Sequence, residues 1–578
     1  MKFNLPISLK NWLKKYWRWF ILLAVVAVFF VGTASFNYYA QSPDFIKWLS
    51  PDESANYNFA KLYAQEGRLT FFEKYNLLSN DIIQPRSYRS DQGTIKPVSF
   101  LGLILIYGKI ASLTTYKVLP FLTPLFAAIG LIFYFLLVKE IFGKRNALLS
   151  FLLAACLPPL IYYSARSLFH NVLFTVLLIV SLYFAVIMLK DKKPAAEAKF
   201  KIRFFPDIYA ALSGIFLGLA VMVRSAELIW LVPAWLALWL FNVKKVGLIK
   251  LLIFLAALLF TLTPVFYWNQ ILYHSYWRGG YDEMNQSILN IAGASQTLIQ
   301  SGWAKLDVIK GSFNKIKDNI FHFGFAPRQS LKMLYHYFAI MFYWLFWPAA
   351  LGTIWFLTRI KKWQKRHFAY FTFYAIMAVI LLFYYGSWDF HDNPDPRSFT
   401  IGNSYTRYWL PIYLGAIPLA SFFLIRLSNL FRKKFLVYGF RFLIITAIFF
   451  ISLQFVLAGS AEGLIKSAKQ QIAVRADYDR LLALTEARAA IITQYHDKLL
   501  FPERKVIVGL FNNDEMVKQY AVLVNYLPVY YYNFTLPEKD YNYLNETRLA
   551  QFNLKIDIVE KITKDFTLYR ITPAVAAP

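Results

Sequence analysis

Long apolar runs dominate this chain. From Trp19 to Leu457, stretches of roughly 18 or more apolar residues recur, parted by short basic connections. A helix of that length covers a hydrocarbon core of about 30 Å. The fold class this implies is a polytopic α-helical membrane protein. Composition agrees, since 58% of the 578 residues are hydrophobic and only 16% are charged, where a soluble chain carries about a quarter charged.

The formal net charge is +29. Its placement argues against nucleic acid, because Lys and Arg gather between apolar runs rather than among aromatics on one surface. They occupy KEIFGKR (139–145), KDKKPAAEAKFKIR (190–203), KK (244–245), RIKKWQKR (359–366) and RKK (432–434). That is the positive-inside bias, which reports topology. The one cysteine, Cys156, lies in an apolar run. It can form neither an internal disulfide nor a Cys/His metal site. The first run, 19–38, is long for a signal peptide and reads as an uncleaved helix.

Basic connections placed in the cytoplasm fix the topology. Helix 19–38 runs outward and delivers residues 40–117 to the outer face. The segment 98–113 lies along the outer membrane surface as a juxtamembrane helix, because counting it as a span would put KEIFGKR outside. Spans follow at 118–138, 147–163, 168–189, 208–223, 226–242, 247–268, 334–358, 368–386, 408–426 and 436–457. A large outer loop fills 269–333. The expectation is about eleven helices, with the N-terminus cytoplasmic and the C-terminus outside. Residues 1–459 then form the membrane domain. Residues 460–578 read as a small soluble α/β domain on the outer side, with a helical pattern over 473–497, a strand-like KVIVGLF, a second helix, and strands at VYYYNF, KIDIVEKI and FTLYRI.

This topology sorts the unusual polar residues to the outer face. Asp52 and Glu53 follow the first helix, and Arg86, Arg89, Asp91 and Lys96 precede the juxtamembrane segment. Arg166 and His170 sit in the turn SARSLFHN, Arg224 and Glu227 in VRSAE. Asp389, His391, Asp392, Asp395 and Arg397 fill SWDFHDNPDPRS, and Tyr405, Arg407 and Tyr408 follow in YTRYWLP. Ionisable groups at membrane depth are costly and commonly line a cavity. Together these read as an anion site beside a carboxylate. Ser50-Pro51-Asp52-Glu53 is also a well-formed helix start, with Ser50 at N-cap, Pro51 at N1, Glu53 as capping-box partner and Gly67 as C-cap. Capping accounts for Glu53 better than for Asp52.

PDESANYNFAKLYAQEGRL resembles the first outer loop of the GT-C membrane glycosyltransferases, in the branch that holds the protein O-mannosyltransferases and the lipid A aminoarabinose transferases. TIKPVSFLGLIL is similar to the Lys-Pro stretch opening that branch's later juxtamembrane helix. KEIFGKRNALLSFLLAACLPPLIYYSARSLFHN, GIFLGLAVMVRSAELIWLVPAWLAL and RYWLPIYLGAIPLA resemble three further stretches in the same order, so the likeness covers roughly residues 15 to 425. It departs at His170, where an acidic residue is common. The loop 389–397 and the C-terminal domain have no counterpart assigned.

The resemblance implies a sugar donor on a polyprenyl phosphate and an acceptor hydroxyl (lipid, glycan or protein) outside the cytoplasm. The phosphate is a good leaving group, so one base and a set of cations suffice. Asp52 is the expected base, with Glu53 orienting the acceptor or capping the helix. Lys96 is the expected phosphate contact, with Arg86, Arg89, Arg166, Arg224, Arg407, Tyr408 and His170 as further donor contacts. No spacing demands a cofactor; Asp52 and His391 are the residues that could hold a divalent metal. The rival reading is a transporter or flippase of lipid-linked saccharides. Such proteins concentrate polar groups at broken helices near the midplane, whereas here they sit in outer turns.

Overall fold

The computed structural model describes residues 7–42, 44–190, 205–281, 324–393, 395, 397–459 and 462–574. Most of the loop expected at 269–333, and the PAAEA connection at 194–198, lie outside the described residues. The chain divides into two compact units. The first holds Met1–Asn37, Phe121–Val265 and Ala292–Lys466; the second holds Tyr38–Pro120, Phe266–Ile291 and Ser467–Pro578.

The elements run in chain order as α1 (Ile7–Ala40), α2 (Pro51–Glu66), β1 (Phe71–Phe72), β2 (Tyr88–Asp91), β3 (Thr94–Pro97), α3 (Leu101–Leu113) and α4 (Leu119–Phe142). Next come α5 (Lys144–Ala155), α6 (Pro158–Arg166), α7 (His170–Ile187), α8 (Phe205–Val223) and α9 (Leu228–Tyr273). After them follow α10 (Pro327–Leu334), α11 (Tyr343–Leu357), α12 (Lys365–Gly386), α13 (Ser404–Tyr408), α14 (Leu410–Ser428) and α15 (Lys434–Ala458).

Among the described residues, seven helices are long and apolar enough to cross a membrane, or up to nine if each of two bent pairs is one span. The pair α5 and α6 bends by 51°, where Pro158 and Pro159 open the second helix. The stretch 327–340 meets α11 at 104°, so the span expected at 334–358 is sharply broken. The count of about eleven read from the sequence treats α9 as two spans and α8 as another. Gly247, at φ 63°, does interrupt α9 between those two halves. Glycine fits there because the left-handed region costs a side chain with a Cβ. The apolar outer faces of these helices stay exposed, Leu248, Leu252 and Phe260 among them, as expected of surface that meets lipid.

Within the first unit the close helix pairs use missing side chains. A Cβ at Gly352 of α11 would come within 2.1 Å of the Leu419 carbonyl oxygen on α14. Small residues let membrane helices approach this closely.

The second unit differs from the domain division read in the sequence. The C-terminal residues share one core with the first loop: Ile83 is buried among Ala490, Ile492, Ile507 and Val529. Its sheet has the order β5-β4-β6-β8-β7, with β4 (Ala490–Thr493), β5 (Lys505–Val508), β6 (Val529–Phe534), β7 (Leu554–Lys561) and β8 (Phe566–Pro573). Strands β5, β4 and β6 are parallel, and β8 and β7 continue antiparallel. The strand β4 corrects the helical reading of 473–497. The helix there ends at Leu484, and Ala490–Thr493 is fully buried as the inner strand of the parallel trio. Its β-branched Ile491, Ile492 and Thr493 suit a strand covered on both faces.

In the same unit, α3 spans 13 residues, so the helix expected at 98–113 is about 20 Å long and too short to cross the core. It packs on α2, and Gly108 admits the approach, since a Cβ there would meet Tyr63 and the Ala60 carbonyl.

Candidate functional site

In the second unit, Asp52 and Lys96 are tied to one hairpin. Strands β2 and β3 pair antiparallel around Gln92 and Gly93, at φ 47° and 79°. Positive φ at both turn residues is the conformation that a two-residue hairpin needs to match strand twist. The register sets Arg89 directly opposite Lys96. Two cations facing each other across strands repel, so the pair favours an anion nearby. Lys96 is buried at 3% exposure. Its ammonium donates to the Leu272 carbonyl at 2.9 Å and meets Asp91 at 3.2 Å, beside the Tyr273 ring.

Asp52 lies in the first turn of α2 and is half-buried. Ser87, the residue before β2, donates its hydroxyl to Asp52 Oδ1 at 2.7 Å. The two turns that follow are held to the same hairpin and its exit. Asn56 accepts from the Ser99 hydroxyl at 2.9 Å, and Asn58 donates to the Tyr88 hydroxyl at 2.7 Å.

The helix start is where the sequence puts it, and Gly67 closes α2 at φ 69°. The expected capping box is absent: Ser50 occupies the N-cap position in extended conformation, but its side chain makes no capping bond. Glu53 is fully buried.

Arg86 is engaged within the unit. Its guanidinium pairs with Asp497 at 2.5 Å, and its backbone N–H donates to the same carboxylate at 2.9 Å. Asp497 is itself fully buried. A recess of about 300 Å³ lies against α2, lined in part by Lys47, Asn58, Lys61, Gln65 and Glu503. Burial pushes the Lys47 amine below its usual range, and its contact with Glu503 at 2.6 Å opposes that shift.

In the first unit, three arginines converge through two aromatic rings. The turn from α6 to α7 passes through Ser167 and Leu168, both at positive φ. Consecutive non-glycine residues in that region are strained, and such strain collects at functional sites. It places Arg166, Phe169 and His170 together in one turn. The guanidinium carbons of Arg166 and Arg407 lie 5.9 and 4.8 Å from the Phe169 ring. Those of Arg407 and Arg224 lie 5.3 and 4.8 Å from the Tyr408 ring. Tyr408 in turn stacks on Tyr385 at 4.3 Å. His170 begins α7 beside Phe169 and is buried.

The partners of these cations differ. Arg224 is buried and donates to Glu227 at 2.9 Å and to the Tyr385 hydroxyl at 2.8 Å. Glu227 also accepts from Tyr385 at 2.8 Å and from the Trp230 indole at 2.5 Å. Arg224 therefore has a carboxylate of its own. Arg407 donates to the Ser404 hydroxyl at 2.8 Å, and Asp392 accepts from both the backbone and the hydroxyl of Ser404. The loop 389–397, which has no counterpart assigned in the family resemblance, thus buttresses α13 and the arginine it carries. Asp395 closes a local turn by accepting from the Arg397 N–H at 2.9 Å.

The metal reading gains no support. Among the described residues no three His, Cys, Asp or Glu side chains come together to hold an ion. His391 is exposed, 3.9 Å from Asp389, and belongs to a different unit from Asp52.

Residues that sequence reading passed over include Ser87, Asp497, Phe169 and Tyr385. Only one had a local signal: Gln92-Gly93 between two short alternating runs marks the hairpin that brings Ser87 to Asp52.

The fold these elements define is that of the GT-C membrane glycosyltransferases. The chain is similar to ArnT from Cupriavidus metallidurans bound to undecaprenyl phosphate, with a TM-score of 0.51 at 12% identity, covering 96% of this chain and 98% of that one. It is also similar to the archaeal oligosaccharyltransferase AglB from Archaeoglobus fulgidus in complex with an inhibitory peptide and a dolichol-phosphate, with a TM-score of 0.50 at 14% identity. That match covers 90% of this chain and 70% of AglB. No protein-family model matches the chain, and no curated protein matches it by sequence.

Proposed function

We propose that this protein moves a sugar from a polyprenyl phosphate to an acceptor hydroxyl on the extracytoplasmic face of the membrane. The observation that carries the reading is the half-buried Asp52, held by Ser87 at the base of the hairpin that sets Arg89 opposite Lys96. The shared fold supports it, since one similar structure holds undecaprenyl phosphate and another dolichol-phosphate.

The chemistry needs little else. Asp52 takes the proton from the acceptor hydroxyl as that oxygen bonds to the anomeric carbon, and the carbon–oxygen bond to phosphate breaks. The prenyl phosphate leaves with both electrons and an added negative charge, which cations stabilise. Attack from the face opposite the leaving group inverts the anomeric centre. Lys96 and Arg89 are the phosphate contacts of the second unit. Arg166 and Arg407, grouped on Phe169, form a separate cationic group within the first unit. Arg224 organises that group through Glu227 and Tyr408, and Arg86 holds Asp497 in place. The recess against α2 draws Pro502 and Glu503 from the C-terminal part of the chain, which favours a role for that part in acceptor choice.

The test is a transfer assay with the purified full-length chain, labelled polyprenyl-phosphate sugars and membrane extract as acceptor. Asp52→Asn should lower turnover at least about a hundredfold while donor binding persists. Near-normal transfer by that variant would remove Asp52 as the base. Transport of labelled lipid across vesicles without any glycosyl transfer would favour the flippase reading instead.

A further inference from the structure

The first unit contains a cavity of about 650 Å³ that the proposed reaction does not use. It lies between the C-terminal halves of α4 and α7, the stretch of α9 around Gly247, the N-terminal half of α12, and α14. Its walls are apolar, with Leu178, Leu182, Trp235, Trp239 and Phe373 among them. Its charged lining residues lie at the ends of these helices or at the Gly247 break of α9: Lys190, Lys245, Lys250, Lys365, Arg366 and the single acid Glu140. Glu140 is already engaged, by an ion pair with Lys190 and by Lys139 at 3.8 Å. The remaining rim is cationic.

This is the opposite end of the helices from the arginine group. Arg366 and Tyr385 both belong to α12 and are 19 residues apart, about 28 Å along the axis. A phosphate held by the arginine group cannot also sit at this rim. The basic connections that supply the rim are those that the positive-inside bias assigns to the cytoplasm.

We infer that this cavity holds a diacyl phospholipid with an anionic headgroup, drawn from the inner leaflet. A soluble anion would find the lysines but no polar wall to desolvate against. A neutral lipid would fill the wall but gain nothing from the rim. An amphiphile with both parts fits, because basic pockets between helices on the cytoplasmic side bind anionic lipid headgroups. The inference is independent of the transfer reaction.

The full-length chain is purified in mild detergent, reconstituted in nanodiscs of phosphatidylcholine with phosphatidylglycerol, and its retained lipid is counted by native mass spectrometry. Phosphatidylglycerol should be retained in preference to phosphatidylcholine. The combined Lys245→Gln, Lys250→Gln, Lys365→Gln variant should lose that preference by at least about tenfold. Ala369→Trp, which fills the cavity while keeping every rim charge, should eject the lipid while leaving glycosyl transfer measurable. Equal retention of the two phospholipids, unchanged retention in both variants, or displacement of phosphatidylglycerol by undecaprenyl phosphate alone would each overturn the inference.

Discussion

At the scale of single residues, the cations divide by what already holds them. Arg86 grips a buried carboxylate, whereas Lys96, held by the Leu272 carbonyl and by Asp91, lies opposite Arg89 across a hairpin. Replacing them should therefore do different things. Arg86→Met should cost about 2 kcal/mol of stability, because it strands Asp497, and should leave donor affinity close to normal. Thermal unfolding beside donor titration separates the two effects. Lys96→Met should instead weaken donor binding by about tenfold or more, read as a rise in KM for the prenyl-phosphate sugar.

His496 supplies a pH dependence of its own. Burial against Tyr532 and Phe566 pushes its imidazole from 6.5 down to about 4. The neutral form is thus favoured in the folded state, and the unfolded chain binds the proton first. Stability from this group is full above its ordinary value and is lost as pH falls toward 4. His496→Gln should flatten the acid limb of a melting-temperature profile between pH 6.5 and 4. An unchanged limb would assign the acid sensitivity elsewhere.

At the scale of elements, close helix crossings and turns fix where side chains arrive. The contact of α11 with α14 depends on Gly352, which faces a backbone carbonyl that cannot swing aside. Gly352→Ala should separate these helices and cost about 2 kcal/mol or more, measured as a fall in thermal stability in one detergent. Turns act similarly. The strained step through Ser167 and Leu168 carries Arg166 and Phe169 into reach of Arg407. The α2 start shows the limit of a local rule: a Ser-x-x-Glu pattern predicts a capping box, yet the Ser50 side chain makes no bond to the helix N-terminus and Glu53 is fully buried.

At the scale of the molecule, the C-terminal residues are part of the same packed unit as the first loop. Ile83 lies in the core of the C-terminal sheet, and Lys505 pairs with Glu73 at 2.7 Å. Removing 467–578 should therefore unfold 38–120 as well. Limited proteolysis with mass mapping should show new cleavages in 38–120 in the shortened chain, with the apolar helices still protected.

The apolar runs alone determined that this chain is a helical membrane protein, because length and hydropathy set what a segment can do in a bilayer whatever its neighbours. The start of α2 at Pro51 and its end at Gly67 were equally local, since each follows from the backbone preference of one residue. Tertiary structure decided the rest. Strand β4 is a strand because both its faces are covered, which four residues cannot announce. The sharing of cations between Phe169 and Tyr408 joins residues from three separate segments. Which partners each cation meets is a property of packing, and no spacing along the chain encodes it.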